Sequence, residues 1–95
     1  MKLVVGLGNP GKEYENTRHN IGYELANMFA KKYGCAFRTE RKFEADIFDI
    51  NINGEKVIVA KPLTYMNLSG NAVKKIVDFY NINSQDILIM HDDLD

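Results

Sequence analysis

A chain of 95 residues that is 45% hydrophobic, 26% charged and 11% aromatic has the composition of a folded globular protein, which excludes disordered and fibrous classes. At this length one modest core is all that can be buried, so one domain is expected. The net charge of -1 excludes a globally basic nucleic-acid binder, yet residues 1–45 carry 8 Lys/Arg against 5 Asp/Glu and residues 46–95 carry 4 against 8.

Lys2-Leu3-Val4-Val5 is a short apolar run ending at Gly6, which predicts a buried parallel strand. A loop rich in Gly, Pro and Asn follows. Ile21, Leu25, Met28, Phe29 and Tyr33 then recur at helical spacing and predict a helix with that stripe against the core. Asn20 stands where an N-cap is expected and Gly34 where a helix stops. Cys35 is the only cysteine, so no internal disulfide can form. It reads as a small packing residue rather than a nucleophile, and a reducing cytosol is the expected compartment.

Residues 45–52 and 55–60 are strand-like and flank Asn53-Gly54, the dipeptide best suited to a type I′ hairpin turn. Pro62 and the polar tract 64–67 interrupt. Leu68, Ala72, Val73, Ile76, Phe79 and Tyr80 mark a second amphipathic helix. Ser84-Gln85-Asp86 is a turn before the apolar strand Ile87-Leu88-Ile89-Met90. No apolar stretch approaches the ~20 residues that cross a bilayer, and no secretory signal pattern opens the chain; no membrane association is expected.

The order strand, helix, hairpin, helix, strand predicts an α/β fold. The expected form is a mixed, mostly parallel twisted sheet flanked by helices in three layers, the two apolar strands central and parallel. The chain stops five residues past the last strand. A central strand without a neighbour on its far side leaves an open edge, so an incomplete domain is expected.

Three loops hold most of the polar residues with chemical potential: residues 6–20, residues 62–67 and residues 91–95. Ligands of open α/β sheets settle at the carboxyl ends of parallel strands, which is where these loops are predicted to converge. The first contains a formal G-x-G-x-x-G, but Pro10 and a long polar stretch follow instead of a helix opening on the last glycine, which argues against a dinucleotide. His19 reads either as a general base, with Asp92 or Asp93 fixing its tautomer, or as a surface histidine flanking a helix. Asn9 and Asn67 could grip a peptide backbone or an oxyanion, or serve as turn and helix-start residues. Tyr65 and Met66 could pack or line a pocket, and His91 reads as a supporting residue. The acidic run 92–95 could bind a divalent metal, but its spacing is unspecific.

The combination of stretches is more specific than any one. GLGNPGKEYENTRHNIG at residues 6–22, KPLTYMNLSG at 61–70 and IMHDDLD at 89–95 closely resemble, in order, three signatures of bacterial-type peptidyl-tRNA hydrolases. The resemblance implies a single α/β domain with helices on both sides of a mixed sheet. It implies hydrolysis of the ester between a peptide and the 3′-terminal ribose of tRNA, without metal or cofactor. Carried over position by position, it makes His19 the catalytic base and Asp92 the carboxylate that orients it. It makes Asn9 and Asn67 the residues that hold the peptide backbone and reacting carbonyl, and Tyr14, Tyr65 and Met66 the lining of the peptide groove. Family members are about twice as long, so residues 1–95 are expected to be the N-terminal half of the domain. The other half carries a further asparagine of the site and the basic residues that meet tRNA phosphates. The half alone is therefore expected to turn over weakly or not at all and to self-associate through its open edge, whereas a full-length form is expected to be monomeric.

Overall fold

Alternating apolar residues and one tight turn build most of this chain. The computed structural model describes residues 1–9, 20–64 and 68–91. Its elements are β1 (Lys2–Gly6), α1 (Ile21–Tyr33), β2 (Arg38–Glu40), β3 (Ala45–Ile52), β4 (Glu55–Pro62), α2 (Ser69–Tyr80) and β5 (Ile87–Met90), with short 3-10 turns at Arg41–Phe43 and Ser84–Asp86.

The strands form one sheet in the order β2-β3-β4-β1-β5. β1 pairs in parallel with both β4 and β5, Leu3 lying opposite Ile58 on one side and Ile87 on the other. β3 is antiparallel to both β2 and β4, so it alone runs against the other described strands. The mixed sheet, with four of the five described strands running one way and β1 parallel to β5, agrees with the sequence reading. However, β5 stands at the end of the described order and not at its centre, because α2 carries the chain past β1. β2 is an addition to that reading, because Arg38-Thr39-Glu40 has no apolar alternation to mark it.

At the β3–β4 turn Asn53 and Gly54 have φ of 53° and 83°, the double positive φ of a type I′ turn. The paired region runs on to Ala45 opposite Pro62, two residues beyond the predicted end of β4. Proline is tolerated there because it closes the strand.

Side chains alternate between two cores, one on each face of the sheet. Leu3, Val5, Ile47, Ile58 and Ala60 pack with Ile76 of α2. Val57, Val59 and Phe48 pack with Ala26 and Ala30 of α1. The layers are thus α1, sheet, α2. From β1 the chain crosses by way of α1 toward the β4 side, and from β4 by way of α2 back toward β5. Crossovers of one hand that travel in opposite directions fall on opposite faces.

The helix boundaries match the sequence pattern, but the buried face of α1 does not. Its inward residues are Gly22, Ala26 and Ala30, whereas Ile21, Leu25 and Tyr33 are exposed and Met28 is 65% exposed. The smallest side chains, spaced four apart, let the helix axis approach the sheet closely, and dispersion contacts over that short separation outweigh the larger stripe. Phe29 alone of the predicted stripe reaches the core, as a partly buried flank. In α2 the predicted face holds at Ala72, Val73, Ile76 and Tyr80 but not at Leu68 or Phe79. Phe79 instead lies edge-on to Phe43, ring centroids 5.3 Å apart, with the Lys42 ammonium 4.1 Å from its centroid.

Candidate active site

The carboxyl ends of β1, β4 and β5 lie at one rim, since Val5 is in register with Ala60 and Gly6 with Met90. α1 leaves β1 on one face and α2 leaves β4 on the other, so the connections diverge between β1 and β4. Open α/β sheets form their ligand crevice at such a divergence. Every described residue bordering the three signature stretches stands at this rim or at the adjoining helix starts.

Asn20, 4% exposed, is the most informative of them. Its Oδ1 accepts from the Asn9 backbone N–H at 2.9 Å, and its Nδ2 donates to the Asn9 carbonyl at 3.1 Å. The amide therefore clasps the backbone of a residue eleven positions earlier, and it makes no capping bond to α1. Asn20 holds the N-cap position expected from sequence but not the capping bond: a side chain with both donor and acceptor satisfies two backbone groups across the loop, where a cap would satisfy one. Asn9 is partly buried, three residues past the end of β1.

Helix α1 is drawn into the rim by close backbone packing. A Cβ at Gly22 would strike the Met90 carbonyl and the Leu7 backbone, so no larger residue fits between α1, β1 and β5. The Met90 carbonyl also accepts the Leu7 N–H at 2.9 Å. Beside Gly22, the Tyr23 ring lies against Gly8, where a Cβ would stand 2.6 Å from the ring, and its hydroxyl donates to the Pro62 carbonyl at the end of β4. Burial, with a smaller contribution from the Asp46 charge, pushes the Tyr23 hydroxyl up to about 12, so it stays a neutral donor at physiological pH.

Lys61 of β4, directly opposite Asp46 of β3, adds a cation beside the rim. Its ammonium donates to Asn27 Oδ1 at 2.7 Å and stands 4.2 Å from the Phe37 ring centroid. Half-burial lowers its pKa, and the Asp46 carboxylate opposes that shift. Thr64, where β4 gives way to the second signature tract, has its Oγ1 buried without a hydrogen-bond partner among the described residues. Leu63 N–H donates to the Glu44 carbonyl at 2.7 Å, which ties that tract's stem to the start of β3.

Of the residues named from sequence, His19, Tyr14, Tyr65, Met66, Asn67 and Asp92 lie outside the described residues, as does Asp93. Asn9 is at the rim, and His91, exposed, directly follows β5 there. Sequence reasoning missed the pairing of Asn20 with Asn9 and the Tyr23 contacts. Neither carried a sequence signal, because the partner of Asn20 depends on how the loop closes and the partners of Tyr23 are distant in sequence. An apolar cavity of about 430 Å³ opens at the opposite end of the sheet, between Val4, Phe29, Val57 and Leu88; Asn9 does not border it.

The model of the family described as peptidyl-tRNA hydrolase matches residues 3–95. The chain belongs to that family. A peptidyl-tRNA hydrolase of Clostridium beijerinckii is 52% identical over 94 residues, covering 99% of this chain and 49% of its own length. One of Exiguobacterium sibiricum is 54% identical over 95 residues, covering 100% and 51%. The crystal structure of peptidyl-tRNA hydrolase from Acinetobacter baumannii superposes with a TM-score of 0.94 at 45% identity, covering 100% of this chain and 48% of that one. The chain thus spans about half the length of the peptidyl-tRNA hydrolases it matches. Its fold over that half is theirs.

Proposed function

We propose that this chain is the N-terminal half of a single-domain peptidyl-tRNA hydrolase and supplies the catalytic rim of that enzyme. The observation that carries the reading is the meeting of β1, β4 and β5 at one rim, with Asn9 and Asn20 clasped there. The residues that border all three family signatures are gathered at that rim, where open α/β sheets bind ligands.

In the proposed reaction His19 takes a proton from water as its oxygen attacks the acyl carbon of the ester. Asp92 holds the imidazole in the tautomer that can accept that proton and stabilises the imidazolium that results. Asn9 and Asn67 hold the peptide backbone and donate to the carbonyl oxygen as it gains negative charge. Collapse of the tetrahedral intermediate breaks the bond to the ribose oxygen, which leaves with the proton returned from His19. Tyr14, Tyr65 and Met66 line the groove for the peptide, and recognition through its backbone makes the site indifferent to peptide sequence. No metal or cofactor enters this scheme. The substrate is soluble peptidyl-tRNA, and the proposed setting is the cytoplasm.

The test is release of tRNA from N-acetyl-aminoacyl-tRNA. In a full-length form carrying this half, we expect His19→Ala to lower turnover by ~10²–10⁴-fold with the melting temperature retained, and excess EDTA to change nothing. Wild-type turnover by the His19→Ala protein refutes the assignment. The half-length coverage of the relatives favours a second reading, in which the chain binds peptide through the same loops without hydrolysis. Binding of the acylated tRNA end with no ester cleavage would select it.

A further inference from the structure

We infer that Tyr23 is a positioning residue for this reaction, a brace that sets the distance between the first and second signature loops; this rests on the esterase reading above. The two loops leave different strands, β1 and β4. The register of those strands fixes their backbones only as far as Val5 and Ala60. Beyond that point the ladder ends, and something else must hold the stems in relation to each other.

Tyr23 contacts both stems. Its ring fills the space over Gly8, where a Cβ would come within 2.6 Å of it. Its hydroxyl donates to the carbonyl of Pro62, the last residue of β4 and the second before Thr64. The neighbouring Gly22 is wedged against Leu7 and Met90, so the helix turn that presents Tyr23 cannot shift without moving β1 and β5. One rigid aromatic side chain with two rotatable bonds thus spans from the Gly8 backbone to the Pro62 backbone. A phenol suits such a brace, since the ring acts as a spacer and the hydroxyl, kept protonated by burial, acts as a fixed donor. Displacements of about 1 Å in a catalytic arrangement can cost ~10²-fold, so a brace acts on turnover more than on substrate affinity.

Tyr23→Phe keeps the spacer and removes the donor. We expect secondary structure to be retained and the melting temperature to move by only a few degrees. In a full-length form carrying this half, kcat should fall about tenfold, with KM within about twofold, and the pH dependence of kcat should shift as the base moves from its partner. Amide resonances of Gly8 and Asn9 should shift together with those of Leu63 and Thr64, since the loops lose their common support. Gly8→Ala, which must push the ring aside, should shift the Leu63 and Thr64 resonances from the opposite stem. A perturbation confined to Leu63 and Thr64 in Tyr23→Phe, or an unchanged kcat, would overturn the brace. If a full-length form carrying this half releases no tRNA, the esterase reading falls, and the resonances alone then decide whether Tyr23 couples the stems.

Discussion

Asn20 and Tyr23 each hydrogen-bond to backbone groups at the rim, Asn20 to Asn9 and Tyr23 to Pro62. Truncating Asn20 to Ala removes the side-chain partner of the Asn9 N–H and carbonyl in a partly buried place. An unmade bond of this kind costs ~1–3 kcal/mol, so the urea midpoint should fall by the corresponding amount at unchanged slope. A midpoint within error of the unaltered chain would show that the clasp contributes nothing. For Tyr23 the sign of the pH effect follows from its raised value. The folded-state pKa of about 12 lies above the ordinary 10.0, so the hydroxyl's contribution is intact below pH 10.0 and is lost as pH climbs through the folded value. Stability measured by urea unfolding from about pH 9 to about pH 12 should decline, and Tyr23→Phe should lack that part of the decline. At this scale the sequence was legible where a residue's conformation is local, as with Asn53-Gly54 at the hairpin turn and Gly34 at the end of α1. It was not legible for Asn20, whose partner is set by how the loop closes.

Elements followed the same division. β1 and β5 announced themselves as apolar runs and the β3–β4 hairpin by Asn53-Gly54, because those signals depend on neighbours along the chain. The orientation of α1 depends on a surface the chain meets only after folding. Gly22, Ala26 and Ala30 won the sheet-facing side because small residues permit the shortest helix-to-sheet distance. That arrangement makes Gly22 the tightest point of the helix. Gly22→Ala places a methyl against backbone atoms of Leu7 and Met90, which cannot rotate away as a side chain can. Overpacking costs ~1–3 kcal/mol in well-packed cores, occasionally more. Loss of stability in that range is expected, together with faster hydrogen exchange at the Leu7 amide, whose bond to Met90 runs through the crowded spot. Exchange unchanged at Leu7 would mean that α1 yields instead of β5.

Across the whole molecule, apolar surface is distributed unevenly. Ile21, Leu25 and Met28 are exposed along α1, and β5 presents Leu88 at 59% and Ile89 at 37% exposure. Among the described strands β5 is paired on one side only, with β1. An apolar strand with a free row of backbone groups templates pairing with another chain, and a lysine on such a strand discourages it. The 95-residue chain is therefore expected to associate with rising concentration in sedimentation velocity, and Leu88→Lys to shift it toward monomer. Association undiminished by Leu88→Lys would move the contact to the α1 stripe. The strand order also bears on how the chain is made. β1 leaves the ribosome before its partners, yet Lys2 takes its register from Val57 and Leu3 from Ile87. The hairpin can close as soon as it emerges, whereas Leu3, Val4 and Val5 wait without sheet partners until β4 and β5 follow. Pairings between such distant segments close slowly, and a nascent chain in that interval offers its first strand to holding chaperones or to a neighbouring polysome-bound copy.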